Sequence, residues 1–276
     1  MVSIVTDSTA DLSPELVQRA SIYVIPYFVH HGEHAFRDGL DIDSEGVYRL
    51  VDETGELPKT AAPPVADYVA AFDRPGPVIF TGIASALSAG FQNARLAAEQ
   101  FSAGKVRLID SRNLSTGTGL LALRAADLRD QGLSADEIAA DLHAAVGRVH
   151  TSFVVDTLKY LYMGGRCTAL ESVVGSLLRI RPVIAVQPDG SLDVRERLRG
   201  SRKRALQSLV DDYRAHLPEM DLRRVFVTHS GSDDAAWLTE QIRKVGAPQE
   251  LLVTRAGCTI SSHCGPNTIG ILYMTR

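Results

Sequence analysis

Nine short apolar, β-branched runs alternate with longer stretches whose apolar residues recur every three or four positions, which limits the chain to sheets covered by helices. The runs are residues 2–5, 22–25, 78–81 and 106–109, then 153–155, 183–186, 225–227, 251–253 and 269–274. Between them, 93–101, 114–131 and 135–149 carry helical spacing, with Ile138, Leu142 and Val146 repeating at i, i+4, i+8 to form one face. Leu206, Leu209, Val210, Tyr213 and Leu217 form another stripe, and Trp237, Leu238, Ile242 and Val245 a third. Stripes of this kind belong to a core.

At 276 residues the chain exceeds what one core usually serves. The fold class expected is α/β, as two α/β domains with a ligand cleft between them. Residues 1–150 would form an N-terminal domain with a parallel sheet and 151–276 a C-terminal domain with a mixed sheet, the boundary falling near 147–151. Nucleic acid is a poor partner for a chain of net charge −4. The N-terminus reads as a strand without a charged n-region and a long apolar core, and no run approaches a membrane span, so a cytoplasmic protein is expected. Three cysteines without a CxxC pair point to free thiols.

Hydroxyl and carboxylate residues gather after three of the strands, in Thr6-Asp7-Ser8-Thr9, in the stretch from Gly82 through Ser85 and Ser88 to Gly90, and in Asp110-Ser111-Arg112-Asn113. In open α/β sheets such strand ends face the ligand crevice, where helix N-termini offer free N–H groups. The same residue types also cap helices, which is the plainer reading of Asp7, Asp11, Asp110 and Ser115. Lys59-Thr60 reads as a loop, with Pro63-Pro64 opening a helix. Gly164-Gly165 breaks a helical turn before Arg166, which could reach an anion or cap the helix carbonyls. His263 precedes a Gly265-Pro266 corner and an apolar strand, so it is expected at a strand end, facing a ligand or capping its own turn. His30-His31-Gly32-Glu33-His34 reads as a solvated hairpin turn without the spacing of a zinc site. A serine hydrolase using Ser88 or Ser85 with His263 is the alternative to a binding protein, although no G-x-S-x-G elbow, P-loop, GxGxxG or HExxH occurs.

Taken in order, these segments resemble the DegV family of bacterial lipid-binding proteins. The matching pieces are residues 4–12, Lys59-Thr60, 85–88, 109–111, 156–158 through Gly164-Gly165-Arg166, 175–182, 189–192 and His263-Cys264-Gly265-Pro266. The resemblance implies a non-enzymatic carrier that encloses one long-chain fatty acid (C14–C18) between two domains. It would present the carboxylate to a separate ATP-dependent fatty acid kinase subunit. It further implies that Thr60 and Ser88 bind the carboxylate, that Arg166 and His263 complete the polar network, and that no metal or other cofactor takes part. Three pieces depart from the usual pattern: Thr-Ser-Gln-Pro is Thr60-Ala61-Ala62-Pro63, Leu-Ser-Gly-Thr is Leu87-Ser88-Ala89-Gly90, and Gly-Pro-Gly is Gly265-Pro266-Asn267. A long apolar tunnel, worth roughly 0.8 kcal/mol per buried methylene, fits this reading. Helices after Leu114 and around 170–178 could wall it. The basic run 195–204 is a solvated segment or a partner-docking patch.

Overall fold

The computed structural model describes residues 1–167 and 180–276. Four strands, β1 (Ser3–Asp7), β2 (Ile22–Ile25), β6 (Val78–Gly82) and β7 (Val106–Asp110), form an all-parallel sheet in the order β2-β1-β6-β7. Between β2 and β6 lies an antiparallel three-stranded sheet, β4-β3-β5, built from β3 (Phe28–His31), β4 (His34–Arg37) and β5 (Lys59–Ala61). The mixed six-stranded sheet runs β10-β9-β8-β13-β11-β12. Its strands are β8 (Val149–Val154), β9 (Ile180–Val186), β10 (Leu192–Arg199), β11 (Met220–His229), β12 (Glu250–Arg255) and β13 (Ile269–Thr275), and β11–β12 is its parallel pair. Ten helices connect the strands among the described residues: α1 (Pro14–Arg19), α2 (Ser44–Thr54), α3 (Val65–Phe72), α4 (Gly90–Ala98), α5 (Thr116–Asp130), α6 (Ala135–Ala145), α7 (Lys159–Gly164), α8 (Arg202–His216), α9 (Ala235–Gly246) and α10 (Cys258–Cys264).

The helical stripes do what their spacing predicts. Ile138 and Leu142 are fully buried on α6 and Val146 packs against the same core, each large aliphatic side chain contributing roughly 1.5–3 kcal/mol. Ser134 and Glu137 close a capping box at the start of α6. α5 is buried nearly all round, because it lies between the two large sheets and touches β1 and β6 on one side and β8, β11 and β13 on the other. One apolar core therefore runs through both halves, joining Ile4 and Ile79 to Phe226, Leu272 and Met274. Arg224 adds a polar tie, pairing with Asp127 of α5 and with Glu250.

Three expectations need correction. Thr60 lies on a strand, not a loop: Val29 pairs with Thr60 and His30 with Lys59 in the small sheet. The helix expected over 93–101 starts at Gly90. His263 sits in the last turn of helix α10, and the apolar strand begins only at Ile269, after the corner. His31 and His34 flank a hairpin turn with Gly32 at φ +59°. The tunnel wall expected around 170–178 lies outside the described residues.

Candidate functional site

One cavity, about 1090 Å³ of empty space including its open mouth, is lined by residues of both halves. Thr60, Ser88, Arg166 and His263 all line it. Its apolar wall comes from Ile83, Leu87 and Leu114 of the first half and from Phe153, Leu161 and Leu192 of the second, which also pack together as one cluster. The dimensions suit a small organic ligand, with apolar walls and a few polar groups to orient it.

Helix α10 forms one side of the cavity, showing it Thr259, Ile260, His263 and Cys264. Seven residues without an apolar stripe make a weak helix by themselves. Its N-terminus is seated on carboxylates from the other half: Asp11 accepts from the Gly257 N–H at 2.8 Å, and Asp38 accepts from Cys258 and Thr259 at 2.8 and 3.0 Å. Carboxyl oxygens that accept at a helix N-terminus satisfy otherwise free N–H groups. Asp38 also takes a hydrogen bond from Ser8. Burial pushes the Asp11 carboxyl well above the usual carboxylate range, and that of Asp7 up to about 6.

At the other end of α10, His263 Nε2 lies 2.7 Å from Thr60 Oγ1, a bond across 203 residues of sequence. Nδ1 is buried without a partner and is pressed against Gly164, where a methyl group would overlap it. Burial, assisted by the Arg166 charge, pulls the imidazole pKa down to about 4, so the ring is neutral at pH 7. A neutral ring carries one proton, and placing it on Nδ1 would bury an unpaired donor. The surroundings thus assign the proton to Nε2, which donates to Thr60 and leaves the threonine hydroxyl to donate into the cavity.

Ser88 stands in the turn between β6 and α4. Its Oγ accepts from the Gly90 N–H at 3.2 Å and lies 2.9 Å from the buried Tyr27 hydroxyl. Ala89 has φ −71° and ψ −5°, ordinary helical values that need no glycine. Arg166 follows Gly165, which ends α7 at φ +65°. Its guanidinium donates to the Gly164 carbonyl at 2.6 Å, as the capping reading has it, and the residue lines the cavity. Asn267 adopts φ +60°, a conformation asparagine tolerates better than most residues, and its carbonyl accepts from Arg202 at 2.6 Å.

The plainer capping reading also holds for Asp7, Asp11 and Asp110. Asp7 caps the turn at Thr9, and Asp110 accepts from Ser85 and Arg112 backbone N–H groups. The contact that a serine hydrolase requires is not made: Ser88 is bonded to Tyr27, Ser85 to Asp110, and His263 to Thr60. Among the described residues no cluster could hold a metal, and no helix is long and apolar enough to cross a membrane. Sequence reasoning missed Tyr27, Asp38 and Gly164. Of these, only Gly164 carries a local signal, in the glycine pair at 164–165, and that pair signals the turn rather than the ring beside it.

A family model described as "Uncharacterised protein, DegV family" matches residues 1–276. The chain belongs to the DegV family. A DegV domain-containing protein of Caldanaerobacter subterraneus subsp. tengcongensis is 31% identical over 284 residues, covering 99% of this chain and 98% of the relative. Among solved structures, a DegV family protein from Thermus thermophilus described for its fatty acid binding superposes with a TM-score of 0.92 at 30% identity, over 100% of this chain and 99% of the other. A stearic-acid-binding protein from Eubacterium ventriosum gives a TM-score of 0.87 at 25% identity, over 100% and 98%. The α/β architecture described above is thus that of DegV structures.

Proposed function

We propose that this DegV protein is a non-enzymatic carrier that binds one long-chain fatty acid, C14–C18, with its tail along the apolar wall and its carboxylate at Thr60, Ser88, Arg166 and His263. The observation that carries the reading is the convergence of those four side chains, from both halves of the sequence, on one cavity whose remaining wall is largely aliphatic and aromatic. Two hydroxyls free to donate and one exposed guanidinium suit a carboxylate that has to be released again. The fatty-acid-binding relatives support the ligand class. On this reading residues 1–150 and 151–276 act as two domains around the ligand, in the cytoplasm, and the bound acid is presented to a separate ATP-dependent kinase subunit that makes the acyl phosphate.

Native mass spectrometry of the purified protein, followed by titration of delipidated protein with palmitate or oleate, tests the binding. A bound C14–C18 acid and saturable uptake are expected; an empty protein that also refuses both acids would end the reading. For the kinase partner, Lys203 is the informative position in the basic run. It is exposed, whereas Arg202 is held by Asp234, Ser232 and Asn267, so reversing the charge of Arg202 would disturb the fold as well as the surface. Lys203→Glu should weaken capture of the kinase subunit while leaving palmitate binding intact. Unchanged capture would place docking elsewhere.

A further inference from the structure

We propose that Tyr27 is a positioning residue of this site: its phenolic hydroxyl donates to Ser88 Oγ and thereby turns the serine's own proton towards the ligand carboxylate. The inference rests on the fatty-acid reading above. It starts from a count of protons. Ser88 Oγ has two lone pairs and one proton. The Gly90 N–H takes one lone pair at 3.2 Å. The Tyr27 hydroxyl, 2.9 Å away, either donates to the second or accepts the serine proton.

Tyr27 itself decides between these. The side chain is 2% exposed and its hydroxyl has two polar neighbours, Ser88 at 2.9 Å and the buried hydroxyl of Tyr68, which has no other partner. A phenol that accepted from Ser88 and gave its proton to Tyr68 would leave the Tyr68 proton buried and unpaired, whereas one that accepts from Tyr68 and donates to Ser88 leaves none. Burial raises the phenol's pKa beyond its ordinary value, so it remains a donor at any physiological pH. With both lone pairs of Ser88 occupied, the serine proton has to leave through the side of the residue that faces the cavity.

The backbone is shaped for this contact. A methyl group at Gly90 would overlap the Tyr27 hydroxyl and stand 2.9 Å from that of Tyr68. Gly90 has an unexceptional backbone conformation at the head of α4, so its lack of a side chain serves the space and not the turn. It is also the position at which the usual Leu-Ser-Gly-Thr turn has threonine. In this chain a tyrosine hydroxyl from the β2–β3 connection enters the room that a side chain at 90 would take.

Calorimetric titration of delipidated protein with sodium palmitate tests the assignment. Tyr27→Phe removes one oxygen and keeps the ring; it should weaken palmitate about tenfold, the scale of one hydrogen bond to a charged group, with little change in melting temperature. In a Ser88→Ala background the same change should alter affinity by less than twofold, because Tyr27 acts through Ser88. A Tyr27→Phe protein that binds as tightly as wild type, or effects of the two substitutions that multiply, would overturn the proposal. Gly90→Ala gives a second route: alone it should lower both melting temperature and affinity, and combined with Tyr27→Phe, which removes the closest of its contacts, it should recover part of the melting temperature but not the affinity. Recovery of wild-type affinity in that pair would also overturn it. If wild type takes up no palmitate, the fatty-acid reading itself falls; if wild type binds and Tyr27→Phe is unaffected, only the role of Tyr27 does.

Discussion

Two of the cavity's hydroxyl stations, at Ser88 and Thr60, are built in opposite ways. Ser88 is held by partners from its own half, Tyr27 and Gly90, close to the parallel sheet. Thr60 is held by His263, which reaches it only because α10 is seated on Asp11 and Asp38 from the first half. The first station is finished by local structure; the second exists only when the two halves are docked. In both, a buried neighbour gives its proton to the hydroxyl oxygen and frees the hydroxyl proton for the ligand. The same chemical result is thus reached once by a rigid scaffold and once by tertiary assembly, and disturbance at a distance should act on the two unequally.

The largest effect expected is from Asp38→Ala, which strips two N–H groups of α10 and Ser8 of their acceptor. A loss of about 3 kcal/mol in chemical denaturation is anticipated, since buried donors are left unpaired. If palmitate affinity were spared in a variant that still folds, the seat of α10 would not govern the Thr60 station. Next comes Thr60→Val with Ser88→Ala, which removes both donors and should reduce palmitate affinity at least tenfold by calorimetry, each hydrogen bond to a carboxylate counting for roughly 1.5–3 kcal/mol. Retained affinity would mean that the carboxylate binds elsewhere.

The pH dependence also separates His263 from the buried carboxyl of Asp7. The folded pKa of His263, about 4, lies below the ordinary 6.5, so the unfolded chain takes up a proton first as pH falls. The contribution of His263 to stability is therefore intact above pH 6.5 and is lost as pH falls from there through about 4. Asp7 has the opposite sign, its folded pKa of about 6 lying above 3.8, so its contribution fades as pH rises through 6. Denaturation at pH 7 and 4.5 should show a His263→Gln protein losing less stability on acidification than wild type, by on the order of 2 kcal/mol. Parallel losses would place the titrating group elsewhere. The smallest effect is expected from Ser85→Ala: Ser85 is exposed and bonded to Asp110, so palmitate affinity should stay within twofold. A large loss would reopen the case for a reactive serine at that turn.

Much of this architecture could be read directly from the chain, because β6 and β13 are mainly apolar runs, β7 carries Val106, Leu108 and Ile109, and α6 repeats its apolar face every turn. What could not be read depends on partners far away in sequence. β5 is three residues long, and only its pairing with β3 makes it a strand. α10 has no cap of its own, since the acceptors for its first N–H groups stand 220 and 246 residues earlier. Thr60, Ser88, Arg166 and His263, four of the polar residues that line the cavity, were visible as an ordered set through family resemblance. The proton arrangement that makes two of them donors was not, because it is set by Tyr27 and by the packing of His263 against Gly164.

The continuous apolar core has a consequence for the protein's lifetime. With Ile4 and Ile79 packed in the same cluster as Phe226 and Leu272, and with Leu272 also lining the cavity, an acyl chain bound as proposed would extend the seam that holds the halves together. A ligand that binds only the folded form at a hundred times its dissociation constant adds about 2.7 kcal/mol to stability. A cell's proteases would then meet two populations of one gene product, and scarcity of lipid would be registered as faster turnover of the empty carrier.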